Sequence, residues 1–246
     1  MATIAIGDIH GNLSALSDLL DKVLPDIQPG DVIVFLGDYI DRGPETRGCL
    51  ETIIELKQAA KYSVIALLGN HEQWMLQSLD NPTKHSWLIC TDALTTIASY
   101  SEEAAIRLRR EFENAGRRLL DRDMPLPYHV FFESLPPSHL EFLKDLKPYY
   151  RTPEVICVHG GVDVGGEPPE TSDRNLLVWG MTGWPDQYVG QDQVVYGHWD
   201  NADLSDQGWP SPHVLSNGTF GIDTISRGVL TALRFPDLKL YQSGRF

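Results

Sequence analysis

Five short apolar runs in the chain each stop at a small polar motif. Ala2–Ile6 leads into Gly7-Asp8-Ile9-His10-Gly11, Val32–Leu36 into Gly37-Asp38-Tyr39-Ile40-Asp41-Arg42-Gly43, and Val64–Leu68 into Gly69-Asn70-His71-Glu72. Further on, Val155–Val158 leads into His159-Gly160-Gly161, and Val194–Tyr196 into Gly197-His198. Runs of β-branched and aliphatic residues predict strands buried on both faces. In open α/β sheets the ligand site lies beyond the carboxyl ends of the strands. Five such ends therefore point to one shared pocket.

Between the first three runs the period changes to that of a helix. Leu13, Leu16, Leu19, Leu20 and Val23 form one stripe of a helix near Leu13–Leu24, stopped by the turn cluster Pro25–Gly30. A second helix is predicted at about Pro44–Ala60, with Pro44 in its first turn. Each strand–helix unit spans about thirty residues, the usual βαβ length, so Asp8, Asp38 and Asn70 should lie side by side. From His71 to Leu146 helical patterns dominate, at about 71–79, 84–98, 102–121 and 137–146. Short strands return at about 155–158, 193–196, 213–215, 219–223, 229–235 and 238–242. No repeat or linker divides the chain. The expectation is one domain over residues 1–246 with a helical insertion at about 71–146.

Composition narrows the classes of function. The 246 residues are 42% hydrophobic and 22% charged, as in ordinary globular proteins. A net charge of −14 argues against a nucleic-acid partner. Phosphorylated substrates stay open, because bound cations would invert the local field. Cys49, Cys90 and Cys157 are isolated and odd in number, which fits a reducing cytoplasm rather than a disulfide framework. There is no apolar stretch of membrane-spanning length and no signal-peptide pattern, so neither membrane nor export is expected.

The motif residues Asp8, His10, Asp38, Asn70, His159 and His198 are rich in oxygen and imidazole and hold no thiolate. Such a set suits Mn²⁺, with Fe or Zn as alternatives, better than a structural zinc cage. Asp8 and His10 would hold one ion, with Asp38 bridging to a second held by Asn70, His159 and His198. A metal pair of this kind clamps a phosphoryl oxygen and activates a water for in-line attack. His71 is the candidate general acid, Asp41 the acceptor that would fix its tautomer, and Arg42 the planar fork for phosphate. Glu72 is expected to brace its loop or cap the next helix. Asp41 and Arg42 could instead pair with each other and merely close a turn. Asp223 reads as a turn or supporting residue. His85, His129, His139 and His213 lack the strand-end setting.

Taken in order, the five motifs resemble those of the calcineurin-like metallophosphoesterases, and within them the phosphoprotein-phosphatase branch. That branch includes bacterial serine/threonine phosphatases and symmetrical diadenosine tetraphosphatases. Gly221-Ile222-Asp223-Thr224 with Leu230-Thr231-Ala232-Leu233 is also similar to the bacterial members. The resemblance implies a sandwich of two mixed β-sheets flanked by helices, a dinuclear site, and the ligand and His71 roles above. It implies a phosphatase of phosphate monoesters, with a serine/threonine-type phosphoprotein phosphatase as the first reading. A symmetrical dinucleoside polyphosphate hydrolase is the alternative. An inactive binding module is a third reading, opposed by the complete ligand set.

Two departures stand out. Bacterial relatives carry an arginine soon after a Trp between the last two histidine motifs, but here Trp179 is followed by Gly180-Met181-Thr182-Gly183. Arg174 lies upstream as a candidate substitute. The usual Gly-His-Thr is Gly197-His198-Trp199. Of the tryptophans, Trp184, Trp199 or Trp209 could stack a base or aryl group; packing is the simpler role for all six.

Overall fold

The computed structural model describes residues 1–59, 61–121, 123–205 and 207–246. The first strands are β1 (Thr3–Ile6), β2 (Val32–Phe35) and β3 (Ser63–Ala66). They alternate with helices α1 (Leu13–Val23) and α2 (Thr46–Gln58). The expected helix end at Ala60 lies outside the described residues. Pro44 does not enter the helix: it stands in the turn before Glu45, which caps α2. β1, β2 and β3 pair in parallel, so the loops bearing Asp8, Asp38 and Asn70 emerge side by side.

Among the described residues, six α-helices fill the stretch before the next strand: α3 (Asn70–Asp80), α4 (Ser86–Cys90), α5 (Ala93–Tyr100), α6 (Glu102–Ala115), α7 (His129–Phe132) and α8 (Pro137–Lys144). The single helix expected at 84–98 is two, because Thr91 adopts an extended conformation and Asp92 starts a new turn. Beyond them come β4 (Tyr149–Arg151), β5 (Ile156–Val158), helix α9 (Arg174–Trp179) and β6 (Val194–Tyr196). The chain continues with β7 (Asp203–Leu204), β8 (Pro210–Ser211), β9 (His213–Val214), β10 (Thr219–Gly221), β11 (Thr231–Phe235) and β12 (Lys239–Gln242).

Two five-stranded sheets result, in the orders β12-β11-β1-β2-β3 and β4-β5-β6-β10-β9. Both are mixed: in the first, parallel β1, β2 and β3 are flanked on one side by antiparallel β11 and β12, and in the second a parallel centre of β5, β6 and β10 has antiparallel strands at both edges. Side-chain alternation assigns the faces. Ala5, Val34, Cys157, Val195 and Phe220 meet in the core between the sheets. Ile4, Ile6, Ile33 and Phe35 face the other way and pack with α1, α2 and the helices before β4. Ile156, Val158, Val194 and Tyr196 turn outward onto Leu177, Trp184 and Tyr188. The expected two-sheet α/β sandwich is therefore present. The carboxyl ends of β1, β2 and β3 in one sheet and of β5 and β6 in the other meet at one rim.

Candidate metal centre and active site

The loops at this rim are tied to one another by backbone bonds. The N–H groups of Ile9 and His10 both donate to the Asp38 carbonyl, at 3.0 and 2.9 Å. Gly197 N–H donates to the His159 carbonyl at 2.9 Å. Five non-glycine residues here hold positive φ: His10 (46°), Asp38 (52°), Asp41 (68°), Arg42 (63°) and His198 (63°). Left-handed backbone at such residues is costly and concentrates at functional sites. The neighbouring glycines answer a packing demand. A β-carbon at Gly69 would strike the Asp38 carboxylate, and one at Gly197 would strike Asp8.

All six predicted ligands come together. Asp38 is central, with His10 Nε2 3.6 Å from its Oδ2 and His159 Nε2 3.4 Å from its Oδ1. His71 Nε2 is 3.7 Å from Oδ2. Asn70 Oδ1 lies 3.0 Å from His159 Nε2 and 2.8 Å from His198 Nδ1. Two groups have ligand atoms within 4.8 Å of one another: His10, Asp38 and His71, and Asp38, His159 and His198. His71 thus stands closer to the first group than Asp8, whose carboxylate is 4.0 Å from His10 Nε2 and accepts the His198 N–H at 3.1 Å.

A cation fits these atoms. His10 Nδ1–H donates to the Ile40 carbonyl at 2.8 Å, which fixes the tautomer and leaves Nε2 as a bare lone pair. That Nε2 is buried without a hydrogen-bond partner, facing the Asp8 and Asp38 carboxylates. Buried polar atoms are rarely left so. His159 is set in the same way, its Nδ1–H donating to the Leu36 carbonyl at 3.1 Å.

The electrostatics divide the histidines. Burial pushes His10 down to about 3 and His198 to about 4, so both rings are neutral donors at pH 7. For His71 burial acts in the same direction, but the Asp38 and Asp41 carboxylates outweigh it and raise it to about 9. Burial also opposes charge on Asp38, yet His159, His71 and His10 around it hold its carboxyl well below the usual range. Asp8 is pushed up by burial and by Asp223 and Asp38.

Asp41 is fully buried and does not pair with Arg42 across the turn. Its carboxylate accepts from His71 Nδ1 at 2.7 Å, Trp87 Nε1 at 3.0 Å and Thr96 Oγ1 at 2.7 Å. Trp87 and Thr96 carry no motif in the sequence; the fold of α4 and α5 delivers them. Arg42 is exposed and lines a cavity with His10, Asn12 and Phe246. Glu72 braces the loop, accepting the N–H groups of Asp38, Tyr39, Ile40 and Gly69 at 2.8–3.2 Å. Asp223 is buried behind Asp8, and burial raises it to about 6. Arg174 lies elsewhere, exposed on a cavity lined by Gln73, Gln77, Asp80 and Lys144.

Three tryptophans surround the His198 side. Trp179 and Trp199 ring centroids are 5.7 and 5.1 Å from that of His198, and Trp74 packs against Trp179 with centroids 4.6 Å apart and rings tilted by 52°. Trp199 Nε1 donates to the Gly160 carbonyl at 2.7 Å, riveting the two histidine loops together. Trp184 is buried in the outer core, and Trp209 lies under Arg245, away from the ligands.

Residues 1–214 match the calcineurin-like phosphoesterase family. The chain belongs to that family. It is 27% identical to an asymmetrical bis(5'-nucleosyl)-tetraphosphatase of Halalkalibacterium halodurans, over 95% of this chain and 90% of that one. Serine/threonine-protein phosphatase 1 of Salmonella typhimurium is 38% identical over 84 residues, 34% of this chain and 36% of its own. A solved structure provisionally described as a diadenosine tetraphosphatase superposes with a TM-score of 0.63 at 20% identity, covering 100% of this chain and 94% of the other. The family and these relatives make the chain a hydrolase of phosphate esters that uses divalent metal ions.

Proposed function

We propose that the chain hydrolyses a phosphoanhydride of a dinucleoside polyphosphate, with Asp8, His10, Asp38, Asn70, His159 and His198 holding two metal ions. The observation that carries the site is the sharing of Asp38 between two groups of ligand atoms, with the buried His10 lone pair aimed at it. When bound, the ions supply positive charge to the phosphoryl oxygens and acidify the attacking water. The oxygen and imidazole set favours Mn²⁺.

His71 acts as the acid. Asn70 already fills the ligand place at its strand end, and with Nδ1 held on Asp41 the ring can carry a proton on Nε2 for the leaving oxygen. Asp41 orients it through Nδ1, and Nε2 stands 3.7 Å from the Asp38 carboxylate at the centre of the ligand cluster. Arg42 grips the phosphate from the exposed side.

Support for the anhydride substrate is the likeness to the tetraphosphatase, which runs along nearly the whole of both chains. The phosphoprotein reading has its own support in the 84 residues shared with phosphatase 1, and stands second. Free cysteines at 49, 90 and 157 favour a reducing cytoplasm, and among the described residues no helix is long and apolar enough to cross a membrane. The test compares diadenosine tetraphosphate with phosphoserine and phosphothreonine peptides, with Mn²⁺ and after chelation. Activity untouched by chelation would exclude the metal reading, and preference for the peptides would promote the second substrate.

A further inference from the structure

A cavity of about 270 Å³ opens at the exposed edge of the site, lined by His10, Asn12, Arg42, Ile225, Ser226 and Phe246. A second of about 530 Å³ shares Ile225, Ser226 and Phe246 with it, and adds Arg227 and Arg245. Phe246 is the wall between them. The residue is 52% exposed, and its N–H is tied to the Gly228 carbonyl at 3.1 Å. Ser226 and Arg227 are fixed by Asp200, at 2.7 and 3.3 Å. Arg245 is braced 5.3 Å over the Trp209 ring and donates to the Gly208 carbonyl at 2.9 Å.

We propose that the two cavities form one groove, which receives the polyphosphate chain and nucleoside lying beyond the cleaved phosphorus. Arg42, Arg227 and Arg245 follow the phosphates, and Phe246 offers its face to the base. In a chain of net charge −14, three arginines along one groove select a polyanion. Guanidinium forks match phosphate oxygens, and an exposed aromatic face suits a purine. The first cavity is small for a nucleotide; together the two fall in the range of small-molecule pockets, about 300–1,000 Å³. A phosphopeptide would use only the first cavity and would leave Arg245 idle. The proposal rests on the dinucleoside polyphosphate reading and names the residues that would give it length selectivity.

The test uses the Mn²⁺-loaded full chain and the variants Arg245→Ala and Phe246→Ala. Arg245→Ala should raise KM for diadenosine tetraphosphate about tenfold, or about 1.4 kcal/mol. It should leave kcat, and both constants for p-nitrophenyl phosphate, unchanged. Phe246→Ala should weaken diadenosine tetraphosphate but not inorganic tripolyphosphate, which has no base. Unchanged KM in both variants, or equal losses on the short substrate, would overturn the groove. If the parent chain does not hydrolyse diadenosine tetraphosphate, the substrate reading fails by itself. Calorimetry with tripolyphosphate then decides the groove: weaker binding by Arg245→Ala keeps it as a polyphosphate site, and equal binding removes it.

Discussion

Three donors converge on the Asp41 carboxylate, and only one of them comes from a recognisable motif. His71 is thirty positions away in sequence and 2.7 Å away in space. Trp87 and Thr96 hold the same carboxylate from the far side. His71→Asn should keep its metals and lose kcat by about 10²–10⁴-fold on substrates with poor leaving groups, the usual range for a general acid. Phosphate esters of acidic phenols need less protonation and should lose less. An equal loss on both, or loss of a metal, would refute the acid role. Trp87→Phe keeps the ring and deletes one donor, so it should lower kcat through Asp41 without changing metal content. On the opposite side of the site Arg42→Ala should raise KM and lower kcat with metals intact; full activity would make Arg42 a turn residue only. The residues just after Trp179 include no arginine, and Arg174 faces another cavity, so Arg174→Ala should be silent.

At the scale of elements, Glu72 joins the N-terminus of α3 to the Asp38 loop. One carboxylate accepts four backbone N–H groups. Burial and the Asp38 charge press it up to about 7, and His71, His159 and the Tyr39 N–H pull the other way. Glu72→Ala strands those donors, each at about 1–3 kcal/mol. The expected loss of stability is therefore at least about 4 kcal/mol, with weakened metal binding at Asp38; Glu72→Gln, which keeps one acceptor, should lose less. Thermal unfolding measures both, and an Ala variant as stable as the parent would remove Glu72 from this role. Local pattern explains what was readable from the sequence. The apolar runs before Asp8, Asp38, Asn70, His159 and His198 mark strands whatever surrounds them. The strand at Tyr149–Arg151, the helix at Arg174–Trp179 and the ribbon of Asp203–Leu204 with Pro210–Ser211 are too short to show a period. The break at Thr91 is invisible for the same reason, and with it the delivery of Trp87 and Thr96 to Asp41. Those contacts span 46 and 55 residues, beyond any local signal.

For the whole molecule, the metal centre is a cluster of buried charges that the fold must carry in its metal-free form. His10 and His198 are depressed from 6.5 to about 3 and about 4. Their neutral forms therefore favour the fold above pH 6.5, and that contribution is lost as pH falls toward those values. His71 is raised from 6.5 to about 9, so its contribution is whole below pH 6.5 and is lost as pH rises through 9. These three histidines thus contribute most near pH 6.5 and less on both sides, while the raised carboxyls of Asp8, Asp223 and Glu72 favour the metal-free fold at acid pH and lose that contribution as pH rises toward neutrality. Asp8 works differently: its raised carboxyl makes the ionised form a burden at neutral pH, one that a cation relieves. Mn²⁺ at a hundredfold excess over its Kd should add about 2.7 kcal/mol. For a chain of this length that is roughly 5–10 °C in Tm. Protons compete for the same carboxylate oxygens and imidazole lone pairs, so the gain should be larger at pH 8 than at pH 5. Asp38→Ala removes the carboxylate shared by both ligand groups and should abolish most of the gain at either pH. Scanning calorimetry of parent and variant at the two pH values, with Mn²⁺ and with chelator, measures each term. A gain of equal size at both pH values, or one that survives Asp38→Ala, would mean that the cation binds elsewhere.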